Sequence, residues 1–122
     1  MGVKTNNKKI LVADDDPLVR KLLNDFLTLC GYAVDCVSNG KEAIALIETG
    51  SYDVLITDYM MPEMNGIELI KKARDIKKSL AIMGMSATEE ERGFLAAGAN
   101  LFIAKPFNPH ALKDRIEEIG LT

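Results

Sequence analysis

The chain has 122 residues, 48% of them hydrophobic and 27% charged, with a formal net charge of −3. That length suits one domain with one sizeable core, the composition excludes a disordered chain, and the acidic balance gives no general attraction to nucleic acid. No apolar run approaches a membrane span and no signal-type segment opens the chain, so a cytoplasmic protein without direct nucleic-acid or membrane contacts is expected.

Lys4, Lys8 and Lys9, diluted by Asn6 and Asn7, make a polar start; residues 1–8 are expected to be a flexible arm and residues 9–122 the folded domain. Residues 10–13 (Ile-Leu-Val-Ala) form a continuous apolar run ending in acid, which suits a strand buried on both faces. Asp16 then caps a helix with Pro17 in its first turn. Leu18, Leu22 and Phe26, beside Val19, Leu23 and Leu27, give this helix an apolar stripe, and Gly31 stops it. Ala33 to Val37 reads as a second strand; Cys30 and Cys36 flank the bend before it and fit no redox or metal spacing, so reduced interior thiols are expected. Ser38 and Asn39 cap a helix carrying Ala43, Ile44 and Ile47, closed by Gly50. Val54 to Thr57 is a third strand, running into Asp58. A loop with Pro62 and Gly66 leads to a helix around Ile67, Ile70 and Ala73. Its methionines, Met60, Met61 and Met64, are expected to pack against the domain. Leu80 to Met85 is a fourth strand, Glu89 to Ala97 a short helix ended by Gly98, and Leu101 to Ala104 a fifth strand. The acids Glu89, Glu90 and Glu91 favour that short helix through its dipole. Asn108 caps a last helix with Leu112, Ile116 and Ile119 inward; His110, without ligand-type neighbours, is an ordinary surface residue.

Strands alternating with helices through short loops make an α/β protein with a parallel sheet covered on both faces. Right-handed crossovers leave few topologies, and a doubly wound order with the first strand central is expected. In such sheets chemistry gathers at the carboxyl ends of the strands. There stand Asp14 and Asp15, then Asp58, Ser86 and Lys105. Three close carboxylates repel unless a cation joins them, and an open all-oxygen site suits Mg²⁺, with Mn²⁺ as the alternative. One Asp could attack phosphorus while the Ser86 hydroxyl and the Lys105 ammonium hold the phosphate oxygens.

The stretches "ILVADDDP", "DVLITDYMMPEMNG", "MSA" and "AKPF" resemble, in order and spacing, the hallmarks of response-regulator receiver domains of two-component signalling, from about Lys9 to Ile119. The resemblance implies a flavodoxin-like five-stranded sheet of order 2-1-3-4-5; a chemotaxis regulator of this family is a standard example of that order. It implies that Asp58 accepts a phosphoryl group from a histidine kinase or histidine phosphotransfer protein. Mg²⁺ would sit on Asp15, Asp58 and the Met60 carbonyl, with Asp14 acting through water. It makes Lys105 the phosphate-binding lysine, with a cis bond to Pro106, and Ser86 and Phe102 a switch pair. Ala87 is the small residue that leaves the site open. A monomer or weak dimer is expected, catalysing only its own phosphorylation and slow dephosphorylation.

Two features depart from the family pattern. The segment between Ser86 and Lys105 is short, so the fourth helix is expected to be short or displaced. Met60 and Thr88, at the positions that flank the acyl phosphate, are expected to tune its lifetime; Met60 cannot orient a water well, and no acid or amide is expected to support Thr88.

Two rival functions fit the residues less well. A haloacid-dehalogenase-like phosphohydrolase needs a late acidic metal pair, but only Asp114, Glu117 and Glu118 follow Lys105, within the last helix. A flavin-carrying flavodoxin needs a phosphate-cradling first loop, which Asp14, Asp15 and Asp16 would repel. With no output segment read after Thr122, the chain is expected to be a stand-alone regulator, a relay intermediate or a piece of a longer protein.

Overall fold

The computed structural model describes residues 8–120. Apart from Lys8, the expected arm over residues 1–8 lies outside the described residues. The elements run β1 (Lys9–Ala13), α1 (Pro17–Leu29), β2 (Ala33–Val37), α2 (Gly40–Thr49), β3 (Val54–Asp58), α3 (Gly66–Ile76), β4 (Ala81–Ser86), α4 (Glu91–Ala97), β5 (Leu101–Ala104) and α5 (Pro109–Gly120). All strand pairs are parallel, in the order β2-β1-β3-β4-β5. The expected doubly wound sheet is the observed one.

The two-residue period of the strands divides the interior into two layers. Leu11, Ala13, Leu55 and Ile82 face a core completed by Ile47, Leu69, Ile70 and Phe94. Ile10, Val12, Val54, Ile56 and Met83 face the other, completed by Leu23 and Leu27 of α1 and Leu112 and Ile116 of α5. Strand β3 is buried along its length, whereas β2, at the sheet edge, buries only Val37.

The predicted caps are present. Asp16 and Asn39 accept backbone N–H bonds at the starts of α1 and α2, and Asn65, not anticipated from the sequence, does so at α3 within a reciprocal capping box with Glu68. Asn108 accepts from His110 N–H at 2.8 Å.

Four expectations are corrected. In α1 the buried residues are Leu23 and Leu27; Leu18 is 76% and Leu22 52% exposed, because both lie off the side that meets the sheet. Cys36, in the edge strand β2, and Cys30, at the end of α1, are half-buried instead of interior, and neither is in a disulfide. Of the loop methionines, Met61 and Met64 pack against the core but Met60 is 67% exposed. Helix α4 is short, as expected, but begins at Glu91 and not at Glu89. Its Phe94 ring lies over Gly84 of β4, where a Cβ would come within 2.6 Å of the ring.

Candidate functional site

Asp14 follows β1, Asp58 ends β3, Ser86 ends β4 and Lys105 follows β5, so adjacent parallel strands deliver all four to one rim. Lys105 Nζ donates to Asp14 Oδ2 at 2.8 Å and to Asp58 Oδ1 at 3.1 Å. Carboxylate oxygens of Asp14, Asp15 and Asp58 lie within 4.8 Å of one another. Asp14 is fully buried and Asp58 nearly so, while Asp15 is exposed.

The environment of each carboxylate is distinct. Both oxygens of Asp14 have protein donors, Oδ1 the Asp16 N–H at 2.9 Å and Oδ2 the lysine. Its backbone is fixed as well: Asp14 N–H donates to the Val37 carbonyl, and the Arg20 guanidinium donates to the Asp14 carbonyl at 2.8 Å. Burial, then the neighbouring Asp14 charge, push the Asp58 carboxyl above its usual range, against the opposing pull of Lys105. Burial by itself would lower the Lys105 ammonium, but the bonds and charges of Asp14 and Asp58 outweigh it and raise the pKa. Lys105 pairs with two of the three carboxylates and leaves Asp15 unmatched, a charge deficit that an oxygen-seeking divalent cation would relieve. The donor set fits Mg²⁺ or Mn²⁺.

Ser86 is buried beside the cluster, and its Oγ accepts from the Thr88 N–H at 3.0 Å. Thr88 Oγ1 is 2.9 Å from Ser86 Oγ and donates to the Glu90 carboxylate. The expectation that no acid supports Thr88 is thus corrected: the turn before α4 brings Glu90 onto it. Met60 stands exposed in the loop after Asp58, and Ala87 is exposed beside Ser86. Phe102 is half-buried, its ring 5.6 Å from that of Phe94. The Lys105–Pro106 bond is cis. Among the described residues the clustered acids are those three aspartates; Asp114, Glu117 and Glu118 lie on α5, outside the cluster.

Two residues that shape the site were not read as site residues in the sequence. Arg20, near the start of α1, reaches back to the Asp14 carbonyl. Gly66 meets the site only in space: a Cβ there would lie 2.1 Å from the Asp58 carbonyl oxygen, so the loop can close on β3 only with glycine. Its place at the end of the "MPEMNG" stretch was the available signal.

The fold and this rim define a parallel α/β domain with an acidic, lysine-bridged pocket at the carboxyl ends of its strands. The family model described as the response regulator receiver domain matches residues 10–117. Sensor protein EvgS of Escherichia coli K12 is 41% identical over 114 residues, covering 90% of this chain and 9% of EvgS. The transcriptional regulatory protein ResD of Bacillus subtilis is 39% identical over 120 residues, covering 95% of this chain and 49% of ResD. The chain therefore spans half or less of these relatives. Among solved structures, the Francisella response regulator 1452 receiver domain superposes with a TM-score of 0.88 at 33% identity, covering 94% of this chain and 98% of that one. The Saccharomyces cerevisiae co-crystal of the phosphotransfer protein Ypd1 with the receiver domain of Ssk1 matches with a TM-score of 0.89 at 26% identity, covering 97% and 92%. The chain belongs to the response-regulator receiver domain family of two-component signalling.

Proposed function

We propose that this chain accepts a phosphoryl group on Asp58 from a phosphohistidine of a kinase or phosphotransfer protein, and that residues 9–122 form the receiver unit. The observation that carries the assignment is the position of Lys105 Nζ between Asp14 and Asp58, at 2.8 and 3.1 Å. An ammonium held there is poised to pair with a phosphoryl oxygen once Asp58 has become an acyl phosphate. In the transfer an Asp58 oxygen attacks phosphorus, the P–N bond to the donor imidazole breaks, and the imidazole leaves. Asp15, Asp58 and the Met60 carbonyl would hold Mg²⁺, with Asp14 acting through water because its oxygens are already engaged. The bound ion would supply charge neutralisation at the phosphoryl oxygens. The buried Ser86 hydroxyl would take a further oxygen on release from Thr88, and that movement would open space for Phe102 beside Phe94, coupling the pocket to the β5 face.

A docking place for the donor lies next to the acceptor. Val19, Leu22, Pro106 and Phe107 line a hollow of about 360 Å³ that reaches Lys105, with exposed Leu18 on the same helix. The Ssk1 receiver is crystallised with a phosphotransfer protein, which supports such a partner here. Downstream, we propose relay or regulatory output, in keeping with the sensor protein and the transcriptional regulatory protein among the relatives.

Incubation with acetyl phosphate and Mg²⁺ should add one hydroxylamine-labile phosphoryl group, and Asp58→Ala should abolish it. Mapping of the group to any other residue would reject the assignment.

A further inference from the structure

The proton inventory around Ser86 leads to a residue outside the pocket. Ser86 Oγ carries one proton, accepts from the Thr88 N–H at 3.0 Å, and lies 2.9 Å from Thr88 Oγ1. Thr88 Oγ1 also meets a carboxylate oxygen of Glu90. A carboxylate only accepts, so the Thr88 proton points to Glu90. The proton between the two hydroxyls is then that of Ser86, directed toward Thr88. Glu90 occupies the N-cap position of α4 yet makes no side-chain bond to the helix, unlike Asn39 and Asn65 at α2 and α3. Its carboxylate is committed to Thr88 instead.

We propose that Glu90, acting through Thr88, is a latch on the Ser86 hydroxyl that keeps its proton turned away from the acceptor in the resting protein. The latch rests on the reading of Asp58 as acceptor and Ser86 as a phosphate ligand. To donate to a phosphoryl oxygen, Ser86 must release its bond to Thr88, and the polarised chain to Glu90 must rearrange. That rearrangement is part of the free-energy difference between the resting and phosphate-bound states. Glu90 is thus a positioning residue: loosening it should favour the state in which Ser86 donates inward.

The test is Mg²⁺-dependent binding of beryllofluoride, an acyl-phosphate mimic, to the full chain, followed by NMR titration. Glu90→Ala should bind about threefold to tenfold tighter, the effect of releasing one charge-assisted hydrogen bond. Thr88→Val should shift in the same direction, and Thr88→Ser, which keeps the hydroxyl, should match the parent. Removing any nearby negative charge could favour an anion, so Glu89→Ala and Glu91→Ala serve as charge controls, expected within about twofold of the parent because exposed charges are screened. In a Ser86→Ala background, Glu90→Ala should have no further effect. An unchanged affinity in Glu90→Ala, an equal gain in a charge control, or a gain that survives loss of Ser86 would each overturn the latch while leaving the acceptor assignment intact. If the parent binds no beryllofluoride and gains no labile phosphate on Asp58, the acceptor assignment falls and the latch falls with it.

Discussion

Tyr52 shows how a single side chain ties the pole of the sheet opposite the acidic rim. Its hydroxyl donates to Asp35 at 2.5 Å, and the Lys9 ammonium lies 4.7 Å from its ring. Burial first, then the bond to Asp35, push its pKa up to about 12. A group whose pKa is raised on folding lends stability that is complete below its unfolded value and lost as pH climbs through the folded one. The loss should therefore fall between about pH 10 and 12. Tyr52→Phe should cost about 1 kcal/mol near neutrality and flatten that alkaline decline, as read by urea unfolding across pH. An undiminished alkaline decline in the variant would remove Tyr52 as its source. On the opposite pole, the exposed Met60 offers no donor to orient water against an acyl phosphate. Dephosphorylation is expected to be slow, and Met60→Asn should speed it on the order of tenfold at constant Mg²⁺. Fast loss from the parent protein would contradict this.

Helix α1 was legible as a helix but not in its orientation. Six apolar residues on neighbouring i, i+4 rows leave the buried row undecided, and the docking of α1 against β1, β2 and α5 chose Leu23 and Leu27. Leu27→Ala should cost about 2–5 kcal/mol, and Leu18→Ala should stay within about 0.5 kcal/mol, in denaturant titrations. The reverse order would show that the buried side has been misidentified. Helix α4 illustrates a different gap. With seven residues and no side-chain cap it is weak on its own, and Arg74 of α3 secures its exit. The Arg74 guanidinium donates to the carbonyls of Gly98 at 2.6 Å, Lys78 at 2.8 Å and Leu80 at 2.6 Å, and to Asn100 Oδ1 at 3.1 Å. Arg74→Ala should destabilise by about 2–3 kcal/mol by leaving the part-buried carbonyls of Gly98 and Leu80 without this donor. Arg74→Lys should recover little of it, since an ammonium lacks the planar fork. Full recovery would reduce Arg74 to a simple charge. In the sequence Arg74 was one more basic residue on a helix, because its partners lie in two separate loops.

The domain as a unit carries a tension between its fold and its site. Three carboxylates are gathered together with one lysine bridging two of them, and burial together with Asp14 penalises ionised Asp58. Asp58→Asn should therefore raise the stability of the metal-free protein, seen as a higher melting temperature in chelator; a lower one would show that the pairing of Asp58 with Lys105 outweighs its burial and repulsion. In the unaltered protein Mg²⁺ at 100 times its dissociation constant should add about 2.7 kcal/mol by mass action. Asp15→Ala should lose most of that gain and Asp14→Ala less, since the oxygens of Asp14 are already bonded within the protein. Equal losses would mean that the two acids hold the ion in the same way.

Element identity and the rim residues were readable in advance because each rests on local chemistry: apolar runs make buried strands, Asn and Asp caps start helices, and parallel strands place their carboxyl ends together; the full strand order came from the family resemblance. Asp14, Asp15, Asp58, Ser86 and Lys105 all stand at such ends. The exposure of Met60, the outward face of α1, the closure of Gly66 on Asp58, and the reach of Arg20, Arg74 and Glu90 were settled only by packing. Each depends on the distance and angle between elements that are separate in sequence, or on which way a turn directs a side chain. No periodicity or spacing encodes those quantities; they follow from how the layers seat against the sheet.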